Sequence, residues 1–268
     1  MRYLWSFKKL QKMRYKFTLK LVDPLRHILP VNYQFGLGSW FYRMVGQPDA
    51  PLYPYLVTAG YVQNGEPFRH FVFSHLLVPD RKIEGDRLLI RCDRIGFIFS
   101  TIPDPALAPL VMTIFQNATL LLGDKISQVS FRVESVEQLP EPEFSDKMTF
   151  KTLSPLHLTR KVPGRKNELF LSPEDPGFTP LFYENLHRKF NLLNGFDHPH
   201  DPLAGKFKLR SPVTQKGMTL QSGPAGQTKI IGYQLRFRLQ ADASLIRAGY
   251  YLGFGEKNSL GFGCCENL

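Results

Sequence analysis

The sequence predicts a mixed α+β chain of two tandem ferredoxin-like (RRM-like) units, each ordered βαββαβ, closed by a C-terminal glycine-rich loop. Three observations carry this. Segments that alternate apolar and polar residues lie among segments with apolar residues three and four apart, the periods of half-buried strands and amphipathic helices. Their order over the first half is that of the split βαβ unit, and the second half repeats it in a more interrupted form. A stretch rich in proline and acid, LPEPEFSD, separates the halves and reads as a linker, giving units at 13–139 and 146–268.

Taken in order, YKFTLKLV (Tyr15–Val22) alternates and reads as a strand with one wet face. After a bend between Pro24 and Pro30, GLGSWFYRMVG and APLYPYLVTAGY read as two short helical pieces. FRHFVFSHLLV returns to strand, and DRLLIRCDRIGFIFST to two strands around a turn. Asp104–Gly123 opens on Asp-Pro and spaces its apolar residues as a helix does. ISQVSFRVESVEQL alternates again. In the second half MTFKTLSPLHL is a strand, TPLFYENLHRKFNLL a helix, GKFKLRSPV and KIIGYQLRFRLQ strands, and DASLIRAGY a short helix before the glycine loop and a last strand.

The 268 residues are 43% hydrophobic, with 22 Phe and 11 Tyr, which is core-forming material. Lys and Arg exceed Asp and Glu by 34 to 23, for a net charge of +11 and a pI near 9.6. Such an excess favours a polyanionic partner, nucleic acid first and an anionic membrane surface second; the plain alternative is solubility. A four-stranded sheet backed by two helices is also an RNA-recognition plan, although that module's aromatic signature is not recognisable. Cys92, Cys264 and Cys265 make neither a disulfide framework nor a zinc spacing, so a reducing compartment is expected. There is no apolar run long enough to span a membrane, and the basic opening MRYLWSFKKLQK lacks a signal-peptide centre. The chain reads as cytoplasmic, with residues 1–12 either an extension before Met13 or a misplaced start. Residues 1–20 hold seven Lys or Arg and no acid, which adds nonspecific affinity for RNA.

GFGEKNSLGFG near the C-terminus carries Gly253, Gly255, Gly261 and Gly263 around Lys257. Its spacing fits neither the dinucleotide fingerprint nor the Walker loop, and too few residues follow for a phosphate-binding helix. Glycines let backbone N–H groups approach a partner while Lys257 supplies a cation; the plain alternative is a tight turn packed on a neighbouring helix.

AGYYLGFGEKNSLGFG resembles the C-terminal signature of the CRISPR-associated repeat-processing endoribonucleases of the RAMP superfamily (CRISPR-associated protein family six). LPVNYQFGLGSWFYRMV, FRHFVFSHL and MTFKTLSPLHLT follow in family order, so the resemblance covers most of residues 13–263. It implies two ferredoxin-like domains, binding of CRISPR repeat RNA in the array transcript (pre-crRNA), and one cut per repeat. The ribose 2′-OH attacks the adjacent phosphate without a metal or cofactor, leaving a 2′,3′-cyclic phosphate and a 5′-OH. That chemistry needs a base at the 2′-OH, an acid at the leaving oxygen and cations around the phosphorane, roles the family gives to Tyr, His and Lys. Homodimers occur in the family. Two rival readings are a member that binds without cutting and a structural RAMP subunit of a CRISPR effector complex.

Carried over by position, the family tyrosine is Tyr42, with Tyr33 nearby at the helix entry. The histidine position holds Val57, which moves no proton, and the lysine position holds Arg69, a cation too basic to carry one. Three outcomes stay open. Another histidine serves, with His70 the candidate and His27 and His75 near in sequence; Tyr42, Arg69 and Lys257 suffice without one; or the protein only binds. Strand alternation turns His70 away from the face of Arg69. His198 and His200 beside Asp201 could suggest a metal, but a solvent loop is the better reading. For RNA binding, Arg236 and Arg238 sit two apart on one strand face, and KFKLR (Lys206–Arg210) repeats the pattern; an ordinary solvated face reads equally well.

Overall fold

The computed structural model describes residues 13–45, 57–63, 66–102, 107–164, 168–194, 205–222 and 226–268. The first half contains β1 (Arg14–Leu21), β2 (Ile28–Pro30), α1 (Gln34–Val45), β3 (Val57–Gln63), β4 (Glu66–Arg69), β5 (Phe71–Phe73), β6 (Arg81–Glu84), β7 (Arg87–Ile90), β8 (Arg94–Thr101), α2 (Leu107–Phe115), β9 (Thr119–Gly123) and β10 (Gln128–Gln138). The second contains β11 (Lys147–Thr152), β12 (Thr159–Arg160), β13 (Leu169–Phe170), α3 (Phe178–Asn194), β14 (Lys206–Leu209), β15 (Thr214–Ser222), β16 (Gly226–Gln234), β17 (Arg236–Gln240), α4 (Ala243–Leu252), a 3-10 turn at Asn258–Leu260 and β18 (Cys265–Asn267). The fold is mixed α+β. A five-stranded antiparallel sheet, β5-β8-β1-β10-β9, lies in the first half and a four-stranded one, β14-β17-β11-β18, in the second. A three-stranded sheet, β2-β7-β6, and the β3–β4, β12–β13 and β15–β16 pairs sit beside them.

Alternation explains β1. Tyr15, Phe17 and Leu19 are buried while Lys16 and Lys20 are exposed, so one face joins the core. Helix α1 covers that face with Leu37, Trp40, Phe41 and Val45, the i, i+3, i+4 and i+8 positions of one stripe. Phe41 stacks on Phe73 at 4.8 Å and on Phe99 at 5.1 Å, and meets Phe97 edge-on at 5.4 Å. In the second half Phe182 of α3 meets Phe207 at 5.1 Å, and Phe254 beyond α4 meets Phe237 edge-on at 5.5 Å and Phe150 at 5.0 Å.

The halves are joined through backbone and buried polar groups. His75 donates to the Leu153 carbonyl at 3.1 Å. Ser154 Oγ donates to the Phe73 carbonyl at 3.2 Å. Arg14, buried, donates to the Tyr250 carbonyl at 3.1 Å and to the Cys265 carbonyl, and stands 4.3 Å over the Tyr250 ring.

Several stretches depart from the sequence reading, among them KIIGYQLRFRLQ, expected as one strand but broken at Leu235 into β16 and β17, which join different sheets. Of the helix expected over Asp104–Gly123, residues 104–106 lie outside the described residues, Leu107–Phe115 is helix, and Thr119–Gly123 is an edge strand. Asn117 takes a left-handed φ of 61° that turns the chain, and Leu120 and Leu122 then fill the sheet's inner face with period two. The helical piece expected in APLYPYLVTAGY is strand from Val57 onward, β-branched residues pairing with β4; residues 50–56 lie outside the described residues. The single strand expected over FRHFVFSHLLV breaks at His70 into β4 and β5. The β15–β16 hairpin is longer than the sequence reading foresaw.

Candidate nucleic-acid interface

Helix geometry turns successive side chains by about 100°. With Trp40 and Phe41 committed to the core, Tyr42 emerges at the surface, 44% exposed. It lines a groove of about 380 Å3 with Phe35, Ser39 and Arg43 of its own helix, Met218 of β15, and Ser259 and Leu260 of the glycine-rich segment. Gly38 faces that segment: a Cβ there would sit 3.9 Å from the Ser259 carbonyl oxygen. The structure therefore brings together two features more than 200 residues apart in sequence, Tyr42 and GFGEKNSLGFG.

The four glycines do a different job from the one expected of them. All are buried, with φ between 72° and 86°. A Cβ at Gly263 would run into the Phe254 carbonyl, and one at Gly255 into the His157 carbonyl, so both require glycine for space and for conformation. Their backbone groups are used inside the protein. Gly263 donates to the Pro155 carbonyl at 2.8 Å and accepts from Phe254 at 2.9 Å, and Gly261 donates to the Asn258 carbonyl at 3.0 Å. The carbonyls of Gly253 and Gly255 both accept from Lys189 Nζ. Asn258 fills the centre, donating to the Phe262 carbonyl at 3.0 Å and the Phe254 carbonyl at 3.3 Å. What the segment presents outward is Lys257, exposed at φ 55° on its tip.

Lys189 was not foreseen. It lies on the apolar face of α3, seven residues after Phe182 and three after Leu186, and is buried. Burial pulls its ammonium down to about 7, and Glu256 offsets part of that cost. A lysine on an otherwise apolar helical stripe was the available signal.

His70 is buried at 6% exposure, and burial pulls its imidazole down to about 4. Its carbonyl accepts from Thr101 Oγ1 at 2.7 Å. It occupies the core rather than the exposed surface. Val57 and Arg69 are register partners across the β3–β4 pair. His198, His200 and residues 1–12 lie outside the described residues. Among the described residues no group of three His, Cys, Asp or Glu could hold a metal ion, and no helix is long and apolar enough to cross a membrane.

Arg236 and Arg238 project from β17 opposite Phe237, away from Phe254 and the glycine-rich segment. Their register partners are Lys151 and Thr149 on β11, and Lys208 on β14 also pairs with Arg238. Residues paired across antiparallel strands share a face, so Lys147, Lys151, Lys206, Lys208, Arg236 and Arg238 form one basic surface. Glu266 of β18 tempers it, 2.9 Å from Lys151. Basic residues at this spacing track a phosphate backbone.

A pattern described as CRISPR associated protein Cas6, C-terminal, matches residues 139–267. The CRISPR-associated endoribonuclease Cas6 of Pyrococcus furiosus is 26% identical over 236 residues, covering 88% of this chain and 82% of its own. CRISPR-associated endoribonuclease Cas6 1 of Methanocaldococcus jannaschii is 25% identical over 244 residues, covering 90% and 88%. A solved structure described as a RAMP protein binding different RNA substrates has the same fold, with a TM-score of 0.78 at 23% identity over 96% of this chain and 99% of its own. Residues 139–267 thus carry the pattern of the Cas6 C-terminal region, and over most of its length the chain is similar to CRISPR-associated Cas6 endoribonucleases.

Proposed function

We propose that this protein is a CRISPR-associated endoribonuclease that binds repeat RNA and cuts it by attack of a ribose 2′-OH on the adjacent phosphate. The observation that carries this reading is the groove in which Tyr42 meets Ser259 and Leu260. In the reaction the 2′ oxygen loses its proton and bonds to phosphorus. The bond from phosphorus to the 5′ oxygen breaks, and that oxygen takes up a proton, leaving a 2′,3′-cyclic phosphate and a 5′-OH. Tyr42 is the proton-handling group. Arg69 and Lys257 supply positive charge to the phosphorane, and Arg236 and Arg238 hold the RNA backbone at a distance from the cut. The glycines shape the segment that carries Lys257.

The reading extends to architecture. Leaving aside edge strand β9, the first sheet runs β5-β8-β1-β10 and the second β14-β17-β11-β18. In each, the first and third strands of its unit are central, the ferredoxin-like order, which supports two such domains at 13–139 and 146–268. A cytoplasmic location, a homodimer and docking to a CRISPR effector complex are part of the same proposal, and sedimentation of the RNA complex checks the dimer.

One observation favours a second reading, binding without cutting: Val57 stands at the family's histidine position and His70 is buried. Incubating the protein with its own array's repeat RNA in EDTA separates the two. A 5′-OH product that forms in EDTA supports a metal-independent nuclease; tight binding with no product overturns it. General acid–base groups contribute about 100-fold or more, so Tyr42→Phe is expected to slow cleavage by at least about that factor while RNA affinity holds.

A further inference from the structure

Past Phe35, at the start of α1, the Tyr42 groove opens into a cleft of about 1070 Å3 that shares Gln34, Phe35 and Met218 with it. One wall comes from the first half of the chain and the other from the β15–β16 hairpin. Asn32 holds them together, its Nδ2 donating to the Thr219 carbonyl at 2.7 Å and its Oδ1 accepting from the Thr219 N–H at 3.1 Å. Both peptide groups of that contact are thereby satisfied, and the hairpin is fixed against the helix.

Inside the cleft Gln34 Nε2 lies 3.3 Å from His75 Nε2. Burial and the nearby Lys216 ammonium pull the His75 imidazole down to about 4, so it is neutral and accepts from the amide at this nitrogen. Tyr33 braces His75 edge-on at 6.3 Å, and its own hydroxyl accepts the Leu76 N–H at 3.0 Å. With one N–H committed to His75, the Gln34 amide retains an N–H and an oxygen, a donor–acceptor pair that matches one edge of a nucleobase. Phe35 beside it is 42% exposed and offers a ring face for stacking. Lys125 and Lys216 line the same cleft and supply charge for phosphates. Gln34 and Tyr42 stand eight residues apart on one helix, roughly 12 Å, so a strand in one groove continues into the other.

We propose that this cleft is a base-reading subsite for the single-stranded RNA that passes Tyr42. One unpaired nucleobase stacks on Phe35 and is read by the Gln34 amide, with His75 as the positioning residue. This rests on the RNA-binding reading and deepens it. The test passes a pool of single-stranded RNA, randomised over the bound length, over the full chain, then sequences what is retained. Wild type is expected to enrich one base at a single position. Gln34→Leu is expected to keep the same salt dependence of binding while that enrichment falls about tenfold, the discrimination of one good base contact. His75→Leu is expected to lose preference at the same position and no other. Unchanged enrichment in both variants overturns the subsite, as does loss at every position together with retained RNA. Wild type that holds RNA with no base preference overturns the subsite alone; wild type that holds no RNA overturns the RNA-binding reading as well.

Discussion

Phe41 and Tyr42 differ by one hydroxyl and one helical step, yet Phe41 is fully buried among aromatic rings and Tyr42 is 44% exposed in a groove. Tyr42→Phe therefore removes the proposed reacting hydroxyl from an exposed position, which makes it the direct test of the chemistry. Lys189 is the opposite case, a buried cation whose partners are the Gly253 and Gly255 carbonyls. Lys189→Met leaves both carbonyls unsatisfied and is expected to destabilise the protein by about 2–5 kcal/mol in urea unfolding. The pH dependence identifies the cause. The folded pKa, about 7, lies below the unfolded value of 10.5, so above pH 7 the unfolded chain holds the extra proton and stability rises with pH. Wild type is expected to gain on Lys189→Met between pH 7 and 9, by at most about 1.4 kcal/mol per pH unit. A gap that stays flat or narrows over that range would show that the lysine is not held near 7.

At the level of elements, the glycine-rich segment is a rigid plug closed by its own backbone. Gly263→Ala adds a Cβ against the Phe254 carbonyl at a φ of 74°, so both sterics and backbone oppose it. The expected loss is at least about 2 kcal/mol, read as a lower urea midpoint with an unchanged slope. Gly164, at φ 79° with nothing within 4 Å of an added Cβ, isolates the backbone contribution. Gly164→Ala is expected to cost about 1 kcal/mol. Equal losses at the two sites would mean that the plug does not depend on close packing. The strands and helices with clean periods were legible in the sequence: β1, α1, β10, α3 and α4 stand where alternation or helical spacing put them. Thr119–Gly123 was not, because a short apolar run fits helix and strand alike and only the sheet edge it joins decides between them.

Across the molecule, His70, His75 and His157 are each held near pKa 4, and in each burial is the leading cause. Their folded values lie below the ordinary 6.5, so the unfolded chain binds more protons between pH 4 and 6.5. Stability is full above pH 6.5 and is lost as the pH falls through that window. The pH dependence of unfolding near pH 5 is expected to report uptake of close to three protons, and close to two in His157→Asn. A flat profile from pH 6.5 to 5 would contradict the burial of these rings. The two proposed RNA sites are likewise a property of the whole: Tyr42 has the C-terminal segment beside it, and the Gln34 cleft is walled in part by β15 from the other half.

The sequence alone determined the class of fold, the basic character that calls for a polyanion, the tyrosine on the first helix and the glycine-rich tail. Those are properties of local period, composition and order, which a linear reading captures. Only the tertiary structure decided which of them meet. It sent His70 into the core, turned the glycines' backbone groups inward onto Lys189 and Asn258, placed Arg236 and Arg238 on the face away from the tail, and joined Gln34 to His75. Each depends on which surfaces bury against one another, and that follows from packing between residues far apart in the chain.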